Sequence, residues 1–436
     1  MLTYNARIAL KSMRRNPWMS TLIIGVIALG ITISTSFIAI YHLLSRHPLP
    51  SKRDTLHYVR MDSWDPLHPY PGDKPTPPPQ MTYQDVRRLM QSDIPVRQTV
   101  GYESRLYVYP DPKVSRPFRA STRMAMSDFF EIFEVPFQYG GPWGREADEK
   151  LEQVVVLDQA TNDRLFGGRD SVGESIRIED REFRVVGVMA RWRPAPRVFD
   201  LTHDVFQPPE NIFIPFNLLE AMEVFSQGNM DSWGTPSGDG YRAFLNGEAA
   251  WLQFWVELAT PEKKQAYADY LHAYTLEQKK AGRFQRPIDN RLSTVSELSD
   301  EWGIVPPQAR ALAWISFLFL AVCSLNLMGL LLAKFLARAS EVGVRRALGA
   351  NRLAVFLQHI VECEVVGLAG GVVGLLLSVL VLALFSRAFP NLPAFKLDTT
   401  MVAASVVLSL IAGLIAGLYP AWRICRIPPA AHLKLQ

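Results

Sequence analysis

The sequence predicts a membrane protein with four transmembrane α-helices and a large α+β domain between the first and second. Three observations carry this. First, apolar runs without a charge occupy 19–44, 311–333, 365–386 and 399–422 and are 26, 23, 22 and 24 residues long. Each exceeds the roughly 18 residues that mark a spanning helix. Second, 45–310 is polar yet rich in aromatic and β-branched residues, so it folds. Third, the charges partition. Segments 1–18, 334–364 and 423–436 carry 12 basic and 3 acidic residues, whereas 45–310 carries 32 basic and 38 acidic. The positive-inside rule puts those three segments in the cytoplasm and places 45–310 and the short loop 387–398 outside it. Four spans with both termini inside are self-consistent. A soluble enzyme is excluded.

The first run is uncleaved in this reading. It is longer than the 7–15-residue core of a signal peptide, and no small-x-small site follows it. The outer segment opens with a proline-rich linker, 48–79, around a short strand at 55–61. A helix follows at 82–90, with Thr82 as N-cap and Val86, Leu89 and Met90 on one face. Residues 105–109 alternate as a strand, and 128–133 form a short amphipathic helix. The run 153–157 is a buried strand, Asp158 caps a helix at 159–166, and Gly167-Gly168 ends it. Strands are predicted at 175–178, 182–188, 211–215, 251–258 and 290–295, with a loop at 227–249. The helix 261–281 aligns Ala266, Tyr267, Tyr270, Leu271 and Tyr274. Two subdomains are expected: 50–110 with 250–305, and an insertion at 111–249.

Catalytic and nucleotide signatures are absent: there is no G-x-x-x-x-G-K-[ST], G-x-S-x-G, H-E-x-x-H or C-x-x-C. No metal site is predicted, because His203 beside Asp204 supplies only two ligands. Asp148-Glu149 and Asp300-Glu301 read as solvated faces. Arg191, Arg193 and Arg197 form a small basic cluster on a loop. The net negative outer segment excludes nucleic acid as a partner. Cys323, Cys363 and Cys425 all lie in or beside the apolar runs, so the outer segment folds without disulfides.

Residues 339–351 are the informative stretch. They predict a short cytoplasmic helix with Ser340 as cap and Glu341 near its positive end. Val342, Ala347 and Leu348 make an apolar face beside Arg345 and Arg346, and Gly349 stops the helix. Docking into a partner's groove and lying on anionic lipid are equal readings of these residues.

EVGVRRALGA at 341–350 resembles the signature of permeases of the MacB/FtsX class of ABC transporters. Residues 6–30 resemble that family's basic N-terminal helix and first span, and 154–188 the core of its periplasmic domain. YPAWR at 419–423, with Pro429, Leu433 and Lys434, resembles its C-terminal ending. The four motifs occur in the family's order on an independently derived topology.

The resemblance implies a bacterial inner-membrane subunit that is not itself an enzyme. Its periplasmic domain would be porter-like with a strand-rich insertion. Glu341, Val342, Gly343, Val344, Arg345, Arg346, Ala347, Leu348 and Gly349 would form the helix that couples it to two copies of an ATPase. That ATPase would be a separate chain and would hold the ATP and magnesium; this chain would bind no cofactor. A second permease would complete a homodimer. Ala431, where the family ending commonly has an acidic residue, leaves room for a heterodimer with a paralogue. The implied function is mechanotransmission for efflux or export of a periplasmic substrate, with room for a periplasmic adaptor and an outer-membrane channel. The alternatives are an FtsX-like activator of a cell-wall hydrolase and a lipoprotein-extracting permease. A sensor lacks its cytoplasmic signalling module.

The spans carry small-xxx-small pairs: Gly367/Gly371 and Gly370/Gly374 in the third, Gly413/Gly417 in the fourth. Intrachain packing is the expected use. Asn326 needs a buried partner in the second span, and Glu362 and Glu364 are expected at the interface before the third. No carboxylate reaches a span centre, which argues against a proton-driven transporter.

Overall fold

The computed structural model describes residues 17–45, 49–71, 76–110, 116–228, 230–234, 238–304, 307–388 and 399–426, with short pieces at 8–9 and 11–13. The loop predicted at 387–398 beyond Ala388, the tail beyond Arg426, and Arg7, Arg14 and Arg15 lie outside the described residues. The chain forms two compact units, 47–304 on one side and 1–46 with 305–436 on the other.

Unit 47–304 is built on one 11-stranded sheet. Its strands are β1 (Leu56–Met61), β2 (Met81–Thr82), β3 (Arg97–Tyr109), β4 (Phe118–Ala125), β5 (Phe137–Gly140), β6 (Val154–Leu157), β7 (Ser175–Ile178), β8 (Arg181–Met189), β9 (Ile212–Pro215), β10 (Ala250–Glu257) and β11 (Asn290–Thr294). The order is β11-β1-β10-β3-β4-β9-β6-β8-β5, with β2 on β10 and β7 on β3 and β8. Among the described residues, only the β4–β9 and β6–β8 pairs are parallel.

Alternation splits the core between the two faces. Val155, Leu157, Ile212, Ile214, Phe254 and Val256 join one cluster. Their neighbours Val154, Val156, Phe213 and Trp255 join the other. A sheet apolar on both faces needs cover on both. Helices α1 (Tyr83–Leu89), α4 (Gln159–Phe166), α6 (Tyr241–Leu245) and α7 (Pro261–Lys280) bring Val86, Leu165, Leu245 and Leu271 to the first face. Helices α2 (Asp128–Ile132), α3 (Arg145–Glu149) and α8 (Val295–Glu301) bring Phe129, Phe130, Ala147 and Leu298 to the second. The remaining helix, α5, is Leu219–Met222.

The caps follow the sequence. Thr82 accepts from the Asp85 amide, Asp158 from the Thr161 amide, and Gly167 closes α4 at φ +67°. Helix α8 went unread although Thr294-x-x-Glu297 forms a complete capping box there. The predicted subdomain boundary falls between β3 and β4, whose ladder of eight register pairs puts both parts on one sheet. Asp148 is buried, accepting from the Ser127 amide and Trp143 Nε1, so it is not part of a solvated face. Asp300 and Glu301 are exposed, as expected, and Glu301 pairs with the buried Arg60.

Among the described residues, the second unit holds four helices long and apolar enough to cross a membrane: span 1 (Pro17–Ser45), span 2 (Pro307–Leu336), span 3 (Arg352–Ala388) and span 4 (Thr399–Arg426). Span 1 packs on spans 2 and 3, and span 4 on spans 2 and 3. Built Cβ atoms show how close the backbones come. At Gly370 one would sit 2.7 Å from Ile27 Cβ, and at Gly374 2.8 Å from the Ala28 carbonyl oxygen. At Gly371 it would meet Ser409 Oγ at 2.6 Å, at Gly367 the Ser409 carbonyl at 3.2 Å, and at Gly417 Cys363 Sγ at 2.6 Å. At Gly413 it would lie 3.4 Å from the Cys363 carbonyl. Hydroxyls add cross-links: Thr32 donates to the Gly374 carbonyl, and Thr35 lies 3.0 Å from Ser405 Oγ. Asn326 is exposed rather than buried.

Span 3 begins 13 residues before its apolar run. At 1.5 Å per residue its 37 residues extend about 55 Å, against roughly 30 Å of hydrocarbon. Glu362 and Glu364 therefore lie within this helix, not in a loop ahead of it.

Candidate docking helix and its anchorage

Helix α9 (Ala339–Ala347) joins spans 2 and 3. Its N-cap is Arg338, not Ser340, and no side chain caps it. The chain turns into α9 directly from the last turn of span 2, with the Arg338 amide bonded to the Phe335 carbonyl. That leaves no extended residue for a Ser cap. Gly349 takes φ +97° and the Ala350 amide reaches the Arg345 carbonyl, which ends the helix.

The predicted apolar face divides. Ala339 and Val342 are buried among Leu331, Phe335, Val355 and Ile424. Ala347 and Leu348 point outward, and Leu348 is 84% exposed. Val344, Leu353 and Leu357 are exposed as well. Arg345 bridges Glu341 at 2.8 Å and donates to Gln358 Oε1, which braces α9 against span 3. Arg346 donates to the Cys425 carbonyl at the end of span 4. Gly343 is half-buried between these contacts. Anchored inward and apolar outward, α9 presents Val344 and Leu348 flanked by Glu341.

Beneath α9 lies an ionic cluster that sequence reading missed. Lys334 Nζ is 2.8 Å from Glu362 Oε1, off the hydrogen-bonding direction. Arg338 approaches the same carboxylate at 3.7 Å. Ser12 Oγ donates to Glu362 and accepts from Arg338. The signal was Lys334 and Glu362 each sitting at the edge of an apolar run.

Unit 47–304 holds a second missed cluster. Arg123 pairs with Asp200 at 3.1 Å and Glu210 at 2.7 Å, all three buried. Arg197 joins Glu103 and Glu210, so it is separate from the exposed Arg191 and Arg193 that line a cavity of about 230 Å³ with Asp158. His203 pairs with Asp200 at 2.9 Å, not with Asp204. Burial pushes Asp200 up, but Arg123 and His203 outweigh it and hold it below the usual range. The bond to Asp200 raises His203, and burial raises Glu103. Glu103, Asp200 and His203 bring ligand atoms within 4.8 Å of one another, yet two guanidiniums already occupy the carboxylates. The arrangement is an ion network. A larger cavity of about 520 Å³ opens between Tyr83, Arg87, Glu220 and Tyr241.

Residues 20–274 match the family model described as the MacB-like periplasmic core domain, more than half of the chain. Residues 313–429 match the FtsX-like permease C-terminal model. The chain belongs to the MacB/FtsX permease family. Both matches take in a membrane span, and the second includes α9. A probable export ATP-binding/permease protein of Pseudomonas fluorescens (strain Pf0-1) is 25% identical over 70% of this chain and 42% of its own length. The macrolide export ATP-binding/permease protein MacB 1 of Yersinia pestis bv. Antiqua (strain Antiqua) is 24% identical over 71% of this chain and 42% of its own. The chain thus spans under half the length of these relatives. A crystal structure of the periplasmic region of MacB from Actinobacillus actinomycetemcomitans aligns over 58% of this chain and 95% of that one, at 12% identity and TM-score 0.37. Membership makes the chain a multi-pass permease component of an ABC transporter family, and neither matched domain is an ATPase.

Proposed function

We propose that the chain is the permease subunit of a MacB-like exporter and couples ATP hydrolysis in a partner ATPase to movement of its unit 47–304. In this reading the protein lies in the bacterial inner membrane with α9 and both termini cytoplasmic and 47–304 periplasmic, as the charge partition favours. The ATPase, present twice, handles ATP and magnesium, and a second permease completes the assembly. The work is efflux of a periplasmic substrate, in line with the export named for the relatives.

The observation that carries the reading is the division of α9. Val342 and the two arginines fix it to spans 3 and 4, while Leu348 is left 84% exposed at its tip. A leucine held out from a rigid helix is a ready anchor for a groove.

The test is co-purification from native membranes through a tag on the C-terminal tail. Wild type is expected to bring down an ATPase, and Leu348→Asp to lose it while the permease stays folded. Retention of the ATPase by Leu348→Asp at wild-type yield sinks the docking assignment.

A further inference from the structure

The ionic cluster beneath α9 does more than stabilise. Lys334 and Glu362 are 1% and 4% exposed. A buried ion pair is a poor source of stability, since an apolar pair of like volume does as well or better. Its best-attested use is to fix register. The residues around Glu362 suit that use. Lys334 ends span 2, and Arg338 is the N-cap of α9. Ser12 lies in the N-terminal segment, and Glu362 is ten residues into span 3. Arg338 also donates to the Ser12 carbonyl at 3.3 Å, so the N-terminal segment is held at two points. His359, one turn before Glu362, stacks edge-on against Phe335 at 4.5 Å and closes the cluster from the side. Apolar helix faces tolerate axial slip and rotation. A carboxylate shared by a lysine, an arginine and a hydroxyl does not, because each slip separates charges in a low-dielectric setting.

We propose that Glu362 is the positioning residue that locks the N-terminal segment, the end of span 2 and the start of α9 to span 3, so that a displacement imposed on α9 moves spans 2 and 3 as one body. The proposal rests on the docking role given to α9 above. Leu348 contacts the ATPase in that role; Glu362, buried within the chain, acts through Arg338 and Lys334.

The test compares wild type with the apolar pair Lys334→Met and Glu362→Met. The apolar pair keeps volume and removes two buried charges, so it folds. In the full complex with its ATPase, the readouts are ATPase co-purification, ATP turnover, and the ATP-dependent change in hydrogen exchange across 47–304. The apolar pair is expected to retain the ATPase and its turnover but lose the exchange response. An apolar pair that holds the ATPase and responds like wild type overturns the proposal. Hydrogen exchange at 11–13 and 339–347 in the permease alone gives a second readout. The apolar pair is expected to exchange faster at both places; unchanged rates overturn the proposal whatever the ATPase does. Loss of the ATPase from wild type condemns the docking role instead.

Discussion

Replacing Arg123 by Met strips the counter-charge from two buried carboxylates. Arg123 is 1% exposed and Asp200 and Glu210 are fully buried, so solvent cannot compensate. Arg197 remains, but at 3.8 Å from Asp200 and 3.5 Å from Glu210. The Phe199 carbonyl and Gln253 lose a donor as well. Breaking a buried pair by removing one partner costs about 3–5 kcal/mol. At about 2–4 °C per kcal/mol for a domain near this size, the melting temperature falls by about 6–20 °C. The assay is thermal unfolding of the full chain in detergent by near-ultraviolet circular dichroism. It carries an internal control in pH. In the wild type Asp200 lies below its ordinary value of 3.8, so its stabilisation is fully present above that pH and lost as pH falls through the folded value. Without Arg123, burial dominates and raises the folded value. The variant then gains stability as pH falls, and its deficit at about pH 7 shrinks by about pH 5. A melting shift below about 2 °C, or a deficit that grows with acid, refutes the reasoning.

Three further outcomes follow from the same structure. His203 is raised above 6.5 by its bond to Asp200, so its contribution is full below that pH and lost as pH rises through the folded value. Glu103, raised by burial, acts in the same direction. His203→Gln should flatten the stability decline above about pH 6.5 in a pH series of melting curves. Gly370→Leu drives a side chain into Ile27 and should cost about 1–3 kcal/mol or more, lowering the melting temperature, whereas Gly25→Ala, with nothing within 4 Å, should be silent. Thr294→Ala removes one half of the α8 capping box and should cost about 0.5–2 kcal/mol in the same assay.

The membrane part of the fold was legible because hydropathy over 22–26 residues leaves few alternatives. Short strands with β-branched runs, such as Val154–Leu157, were legible for the same reason. Strand β4 was not. Its sequence FRASTRMA carries two arginines and reads as loop, and only the distant Asp200 and Glu210 make Arg123 a core residue. Missing β4 hid the β3–β4 ladder, which joins the two expected parts in one sheet. At α9 the stop at Gly349 and the Glu341–Arg345 pairing are local and could be read. The direction of the helix could not, because spans 3 and 4 decide which apolar residues turn inward. Glu362 reads in the sequence as the end of a span because it is charged, whereas three partners from other segments let it stay inside the helix.

Strands β1 and β11 are the first and last of unit 47–304, and they are direct neighbours joined by five antiparallel register pairs from His57–Thr294 to Met61–Asn290. Both tethers therefore attach to one edge of the sheet. Ladder hydrogen bonds run perpendicular to the strands. His57 and Thr294, where the two tethers reach the ladder, face each other at the same end of it. Pulling the tethers apart therefore opens the pairs one at a time from that end, whereas moving both together leaves the ladder unloaded and carries the sheet with them.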